Sequence, residues 1–449
     1  MNRDTIKVVI YGLGGVGKEL VQDFDKRNDL ELVGVIARNP NQIGKDVGIL
    51  SGLEKEIGIK VTSNQTKEKD LYETTKIDVL IHCAGANNAR GTYEQVKSAL
   101  EHGINVITAN VGTTDLWNSD PELAKEIDQI CKEHMLKGIY AVHADQVKYI
   151  NDDLRCYCTA NKKDGKVAII TGGGSGHLPL FLGYVGDGLL DGCAVGGVFQ
   201  SPSAEQIFEI SKEVNTGAGV LYLYGNYTGD IMNFDMAAEL CEMEDIKVAT
   251  VVGADDVNSG EPALRRGVAG IFYLYKAAGA KAAMGGTLEE VADAAKKAQE
   301  NTRTVGFALS PCIIPEVGKP NFTLGENEMA MGMGIHGEPG IWNGPIRSSK
   351  EIAEESLKTI LDDMPLEAGT EVSVLINGLG ATSLDEQYIL CNDVLTQLKD
   401  RGIRVVKSFV GEFATSMEMM GASITICKLD EEMKTYLKYP VSTPFYVLK

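Results

Sequence analysis

The chain has only six histidines, and one of them, His336, stands between glycines in MGIHGEPG. Glycine on either side lets the backbone take angles that other residues avoid and lets a small molecule approach closely. The residue types suit a site; a turn with an incidental histidine is the plainer alternative. A second imidazole, His177, follows the run Gly172-Gly173-Gly174-Ser175-Gly176 at the end of the apolar stretch VAII. Open α/β sheets hold their ligands at such strand ends, although three glycines can also be a flexible turn. Asp230 closes GNYTGD after the apolar VLYLY. An aspartate there can cap the following helix. Beside two imidazoles it can instead act as a general base, because taking a proton from a hydroxyl requires a carboxylate or imidazole within hydrogen-bond reach.

A fourth group has binding chemistry. IKVVIYGLGGVGKELVQDF carries Gly12, Gly14 and Gly17 at the spacing G-x-G-x-x-G, between an apolar β-branched strand and a helix. That is the context in which the spacing signifies a dinucleotide site, with the pyrophosphate on the helix N-terminus. The next strand, LELVGVIAR, ends in Ala37-Arg38-Asn39. The carboxylate that would accept from a ribose 2′-hydroxyl is missing, and Arg38 is suited to a 2′-phosphate, so NADP is expected ahead of NAD. A Rossmann unit that no longer binds nucleotide is the alternative.

The elements that must position these groups alternate between strand and helix. After the first two strands come IDVLIHCAG (77–85) and INVITANVG (104–112), then an irregular charged stretch, 136–166, which reads as a domain boundary. Strand and glycine units resume with VAIITGGGSGH and VLYLYGNYTGD, and the chain closes with EVSVLINGLGATSLDE and VVKSFVGEFATSMEMMGASITIC. Met417, Met419 and Met420 are expected to fill core. The 449 residues allow several domains, and 44% hydrophobic with 24% charged residues is globular composition. A net charge of −20 argues against nucleic acid and anionic membranes as partners. No apolar run reaches the length of a membrane span, and the start has no signal-peptide order, so a cytoplasmic location is expected. Nine scattered cysteines, with Cys156-Tyr157-Cys158 lacking zinc-site spacing, are expected to be free thiols with no metal among them.

GKVAIITGGGSGH, VFQSPSAEQIFE, GNYTGDIMNFDMAAEL, RRGVAG, ALSPCIIPEVGKPNFTLGENEM, MGIHGEPG, INGLGATSLDE and VGEFATSMEMMGASIT follow one another in this chain. In that order they resemble the substrate-binding subunit of the dihydroxyacetone kinase family over about residues 140–449. The first segment resembles the nucleotide-binding half of the dihydrodipicolinate reductase and diaminopentanoate dehydrogenase type of enzyme. The first resemblance implies that His336 captures dihydroxyacetone or a related hydroxyketone as a hemiaminal, a step within reach of a neutral imidazole. It further implies that Asp230 takes the proton of the hydroxyl to be phosphorylated, that His177 bonds the substrate, and that Gly173 and Gly174 let the backbone touch it. It also implies a homodimer, and a separate donor subunit that supplies the phosphoryl group, with ATP and Mg only through that partner.

Three positions depart from the family's pattern. Gly225 stands where a lysine usually precedes N-Y-T-G-D, Leu178 replaces the glutamate of H-E-P, and Phe181 replaces the next histidine. The departures leave the capture histidine and the base in place, and they keep two other readings open. One is an NAD(P)-dependent oxidoreductase or isomerase acting on a captured ketose; the other is a non-catalytic, ketone-sensing coactivator. The expected fold is α/β throughout, with a Rossmann-like domain over 1–137 and two α/β domains of the kinase family over 138–300 and 301–449.

Overall fold

The computed structural model describes residues 5–27, 29–63, 68–84, 89–108, 143–150, 153–314 and 318–449. Contacts divide the chain into two compact units, Met1–Lys137 and Gly138–Lys449.

In the first unit β1 (Ile6–Tyr11), β2 (Leu30–Ala37), β3 (Val61–Ser63), β4 (Val79–His82) and β5 (Asn105–Thr108) form a parallel sheet in the order β3-β2-β1-β4-β5. The helices are α1 (Gly15–Phe24), α2 (Val47–Leu50), α3 (Glu68–Thr74) and α4 (Ala89–Glu101). β1 is buried along its last four residues, as its unbroken apolar run requires of a central parallel strand. Strand order reverses at β1 and β4, the switch point at which doubly wound sheets bind ligands. The ends of the two later expected strands, Gly85 and 109–112, lie outside the described residues.

The second unit holds two six-stranded sheets. The first consists of β6 (Val147–Ile150), β7 (Asp153–Thr159), β8 (Ala168–Ser175), β9 (Gly192–Val198), β10 (Val220–Gly225) and β11 (Val248–Gly253). Its order is β11-β10-β8-β9-β7-β6, parallel except at β7, which pairs antiparallel with both β9 and β6. The stretch 136–166, read as irregular and as a domain boundary, contains the regular pair β6 and β7, and the division between the two units falls at its start, between Lys137 and Gly138. Cys156, Tyr157 and Cys158 of β7 are buried, while the charges nearby pair on the surface, as in Lys148 and Lys162 with Glu213. Both faces of β7 are covered, since Cys156 to Thr159 are buried in succession, and the charges that disguise it lie at its ends and beside it, not along one of its faces.

α5 (Ala204–Val214), α6 (Thr228–Met243), α7 (Ile271–Ala283) and α8 (Leu288–Glu300) accompany this sheet, and α7 is buried on nearly every side. The second sheet, mixed and largely antiparallel, runs β14-β13-β12-β17-β15-β16. Its strands are β12 (Thr302–Ala308), β13 (Glu328–Met331), β14 (Trp342–Pro345), β15 (Glu371–Gly378), β16 (Arg404–Gly411) and β17 (Gly421–Lys428). α9 (Ser349–Asp363) and α10 (Leu384–Asp400) pack on it, and α11 (Glu431–Lys438) packs on α7. α5, α8, α9 and α10 each open on a Ser or Thr capping box. Met417 and Met419 pack into core as expected, whereas Met420 is exposed. Eight cysteines among the described residues are free, seven of them buried. Among the described residues no helix is long and apolar enough to cross a membrane.

Candidate functional site

The glycine run of β8 makes room for aromatic rings. A Cβ on Gly173 would lie 2.3 Å from the ring of Phe181, and one on Gly174 2.6 Å from the Cα of Phe199. Beyond the run, Gly176 takes φ +101° and turns His177 into the interior. The Nδ1–H of His177 donates to the carbonyl of Thr415 at 2.7 Å. This leaves Nε2 as a lone-pair acceptor, and that atom is buried without a partner. Burial, and next the charge of His336, push the His177 pKa down to about 3, so the ring is a neutral acceptor across the physiological range.

β10 ends at Gly225, and α6 starts three residues later. Tyr227 is the N-cap, so Asp230, the third helical residue, is not a cap; this corrects the plainer reading of that residue. Its side chain is buried and Oδ1 has no partner. Burial raises its pKa to about 6, against the opposing pull of a Ser201 hydrogen bond and the charge of His336. A carboxylate that titrates near neutrality can exchange a proton with a hydroxyl.

His336 comes from the second sheet, on the loop between β13 and β14. Glu338 holds it with both oxygens: Oε1 is 2.8 Å from Nδ1 and Oε2 accepts the His336 backbone N–H at 3.0 Å. Burial would raise the Glu338 pKa, but the His336 hydrogen bond and charge, with Arg266, outweigh it and bring it down to about 2. In the neutral ring, a carboxylate on Nδ1–H leaves the lone pair on Nε2. His177, Phe199 and Tyr227 surround the ring edge-on at centroid distances of 4.7, 5.1 and 4.7 Å. The flanking glycines serve this packing. Gly337 takes φ +79°, and a Cβ there would stand 2.0 Å from Nδ2 of Asn321, which donates to the His336 carbonyl at 2.8 Å.

The structure brings Gly173, Gly174, His177, Gly225, Asp230 and His336 together around one cavity of about 20 Å³. The rings of His177, Phe181, Tyr227 and His336 line this space, about the size of a water, and two orphaned polar atoms belong to residues around it. The sequence reading assigned no role to Glu338, Tyr227 or Phe199. Glu338 was detectable as an acid two residues from the histidine on a glycine loop, whereas the aromatic walls give no local signal.

In the first unit the glycines of the turn divide their tasks. Gly12 takes φ +109°, and a Cβ on it would lie 2.6 Å from Ala84 N. A Cβ on Gly17 would lie 2.0 Å from Gly12 O, while Gly14 faces open space. The first turn of α1 carries no acid. Arg38 follows β2 and is exposed. A helix N-terminus with open space at Gly14 and no acid in its first turn fits a pyrophosphate.

Residues 137–445, well over half the chain, match the Dak1 domain. This chain belongs to the Dak1 family. Residues 6–145 match the N-terminal domain of dihydrodipicolinate reductase. The Dak1 portion is 45% identical over 320 residues to the dihydroxyacetone-binding subunit DhaK of PTS-dependent dihydroxyacetone kinase 1 from Listeria innocua, covering 70% of this chain and 97% of that one. It is also 38% identical over 340 residues to an L-erythrulose kinase of Pectobacterium atrosepticum, covering 74% of this chain and 56% of that enzyme. Among solved structures, a dihydroxyacetone kinase operon co-activator, DhaQ, matches at 33% identity with a TM-score of 0.67, over 70% of this chain and 98% of the co-activator. Dak1 relatives therefore include kinase subunits and a co-activator.

Proposed function

We propose that the Dak1 unit captures a small hydroxyketone, dihydroxyacetone or a near relative, on Nε2 of His336 and presents it to a separate phosphoryl-donor subunit. One observation carries the reading: His336 Nε2, the orphaned Nε2 of His177 and the orphaned Oδ1 of Asp230 converge on one cavity. In the capture step the Nε2 lone pair forms the C–N bond as the carbonyl π pair moves to oxygen. One proton passes, net, from the ring to the new hydroxyl. Both orphaned atoms are acceptors, so the ligand must bring hydroxyl donors, a requirement that polyhydroxy ketones meet and simple ketones do not. Asp230 then takes the proton of the hydroxyl that attacks phosphorus. The phosphoryl donor, with any ATP and Mg, belongs to the partner. The chain is proposed to act as a cytoplasmic homodimer, and the first unit to hold NADP, or NAD, with Gly12, Gly14 and Gly17 at the pyrophosphate and Arg38 at the 2′-phosphate. A bound nicotinamide would supply hydride chemistry.

A second reading has its own observation. A side chain at Gly225 would meet the Tyr227 ring at 3.2 Å, and Phe181 covers Gly173 where a histidine is usual in the family. A site that keeps the capture residue but lacks the cation and the second histidine suits a ketone sensor. Native mass spectrometry with dihydroxyacetone and erythrulose, followed by phosphorylation with an added donor subunit, separates the two. Adduct with turnover supports the kinase subunit, adduct without turnover supports the sensor, and no adduct from any hydroxyketone sinks both. NADPH oxidation by a hydroxyketone without a donor would point instead to the oxidoreductase.

A further inference from the structure

The loop that carries His336 rests on a charged pair to which the motifs above assign no role. Arg266 lies in the turn between β11 and α7. Its Nε donates to Oδ2 of Asp256 at 3.0 Å, and its Nη2 is 2.8 Å from the same oxygen. Nη2 also donates to the carbonyl of Gly332, the residue that follows β13 and begins the His336 loop. Nη1 faces Oε2 of Glu338 at 3.9 Å. Both partners are shielded, with side-chain exposures of 14% for Arg266 and 2% for Asp256. The pair is fixed from behind as well, since Asp256 N donates to Arg266 O and Arg266 N to the hydroxyl of Ser259.

The guanidinium therefore stands between two carboxylates in a poorly solvated place. Without its charge, Asp256 and Glu338 would face each other unscreened, and Glu338 would swing away or take up a proton. The first event removes the acceptor from His336 Nδ1–H, and the second strips it of the charge that makes it prefer that N–H. Gly334 is the gap that permits the contact: a Cβ there would lie 2.2 Å from Oε2 of Glu338 and 2.9 Å from Nη1 of Arg266. In MGIHGEPG the first glycine thus gives passage to a carboxylate and a guanidinium.

We propose that Arg266, clamped by Asp256, is a positioning residue: it holds the Glu338 carboxylate on His336 Nδ1–H and so directs the Nε2 lone pair to the ligand. The proposal rests on His336 being the capture residue. Its test does not, because nitrogen-15 NMR of the His336 ring reports which nitrogen carries the proton with no ligand present. Wild type is expected to show the Nδ1–H form. Arg266→Met should give a mixture of tautomers and slow adduct formation with dihydroxyacetone by about 10- to 100-fold, the usual effect of removing an outer-shell partner, and Arg266→Lys should recover part of both. If Arg266→Met destabilises the chain, Gly334→Ala probes the same contact from the loop side with all charges retained, and the same two changes are expected. Wild-type tautomer and wild-type rate in either folded variant would overturn the proposal. A tautomer shift in Arg266→Met, in a protein whose wild type forms no adduct, would support the positioning role and sink the capture reading alone.

Discussion

The glycine turn of the first unit and the cavity of the second are both built at the carboxyl ends of parallel strands, yet they offer opposite materials. In the turn the groups on offer are backbone amides, with open space at Gly14, and it is the backbone that requires glycine at positions 12 and 17. In the cavity the reactive groups are side chains, and glycines 173, 174, 334 and 337 make room for other residues of the same site. A backbone site can be specified by one short stretch, whereas a side-chain site needs several stretches to meet. His177 and Asp230 come from the first sheet of the Dak1 unit, and His336 with Glu338 comes from the second.

The sharpest way to break the comparison is His336→Ala. It should abolish the ketose adduct in native mass spectrometry and leave NADPH affinity unchanged; residual adduct would mean that another nucleophile does the capture. Next in size is Asp230→Asn, expected to lower donor-dependent phosphorylation by about 10²- to 10⁴-fold, the range for a lost general base. In wild type the rate should fall as pH drops through about 6, where Asp230 takes up its proton. Stability should move the other way. The folded carboxyl titrates near 6 instead of 3.8, so the folded chain keeps a proton that the unfolded chain has already lost. Stability is then full on the acid side and declines as pH rises through about 6, and at pH 8 the Asn variant should be more stable by about 1–3 kcal/mol in denaturant melts. A variant less stable than wild type at pH 8 would mean that the hydrogen bond to Ser201 outweighs desolvation.

Two smaller effects test the other side. Gly17→Ala places a Cβ 2.0 Å from a backbone oxygen that cannot yield. Overpacking of that kind costs about 1–3 kcal/mol and should weaken NADPH binding, measured by fluorescence titration, without touching ketose capture. Loss of capture in Gly17→Ala would show that the two sites are not independent. Arg38→Asp should reverse the preference between NADPH and NADH by about tenfold, as expected when a 2′-phosphate loses one charged partner; unchanged affinities would remove Arg38 from the cofactor site.

What could be read from the sequence follows the same division. The strand, turn and helix that carry Gly12, Gly14 and Gly17 were legible because they are contiguous, and Gly17 answers to Gly12 within that stretch, whereas the crowding of Gly12 by Ala84 was not. His336, Asp230 and His177 each stood out from local residue types, but that they meet could be inferred only through long motifs in order, since nothing in MGIHGEPG says which strand ends lie opposite it. The β6 and β7 pair was missed because charged residues crowd its ends, as in Asp153, Arg155 and the Lys162-Lys163-Asp164 run, and mask the short apolar run Cys156 to Cys158. Arg266 and Asp256 were invisible for a related reason: their meaning depends on a carboxylate more than 70 residues further on.

Gly225 is where both regions can be compared by a single substitution. It ends β10 as Gly12 follows β1, but its backbone does not demand glycine: a Cβ meets only the Tyr227 ring edge at 3.2 Å and the Gly267 carbonyl at 3.4 Å. Tyr227 is tethered through its hydroxyl to that same carbonyl at 3.1 Å, so its ring has to yield a few tenths of an ångström. Gly225→Lys should therefore fold, and an ammonium near the hydroxyls of a captured ketose should tighten its binding by about threefold to tenfold, the worth of one partly solvated charged hydrogen bond. If turnover with a donor subunit rises in step with affinity, the site is a kinase site weakened at one position. If affinity rises and turnover stays absent, the departures at Leu178 and Phe181 have already separated capture from phosphorylation, and the Dak1 unit reads a ketone without consuming it.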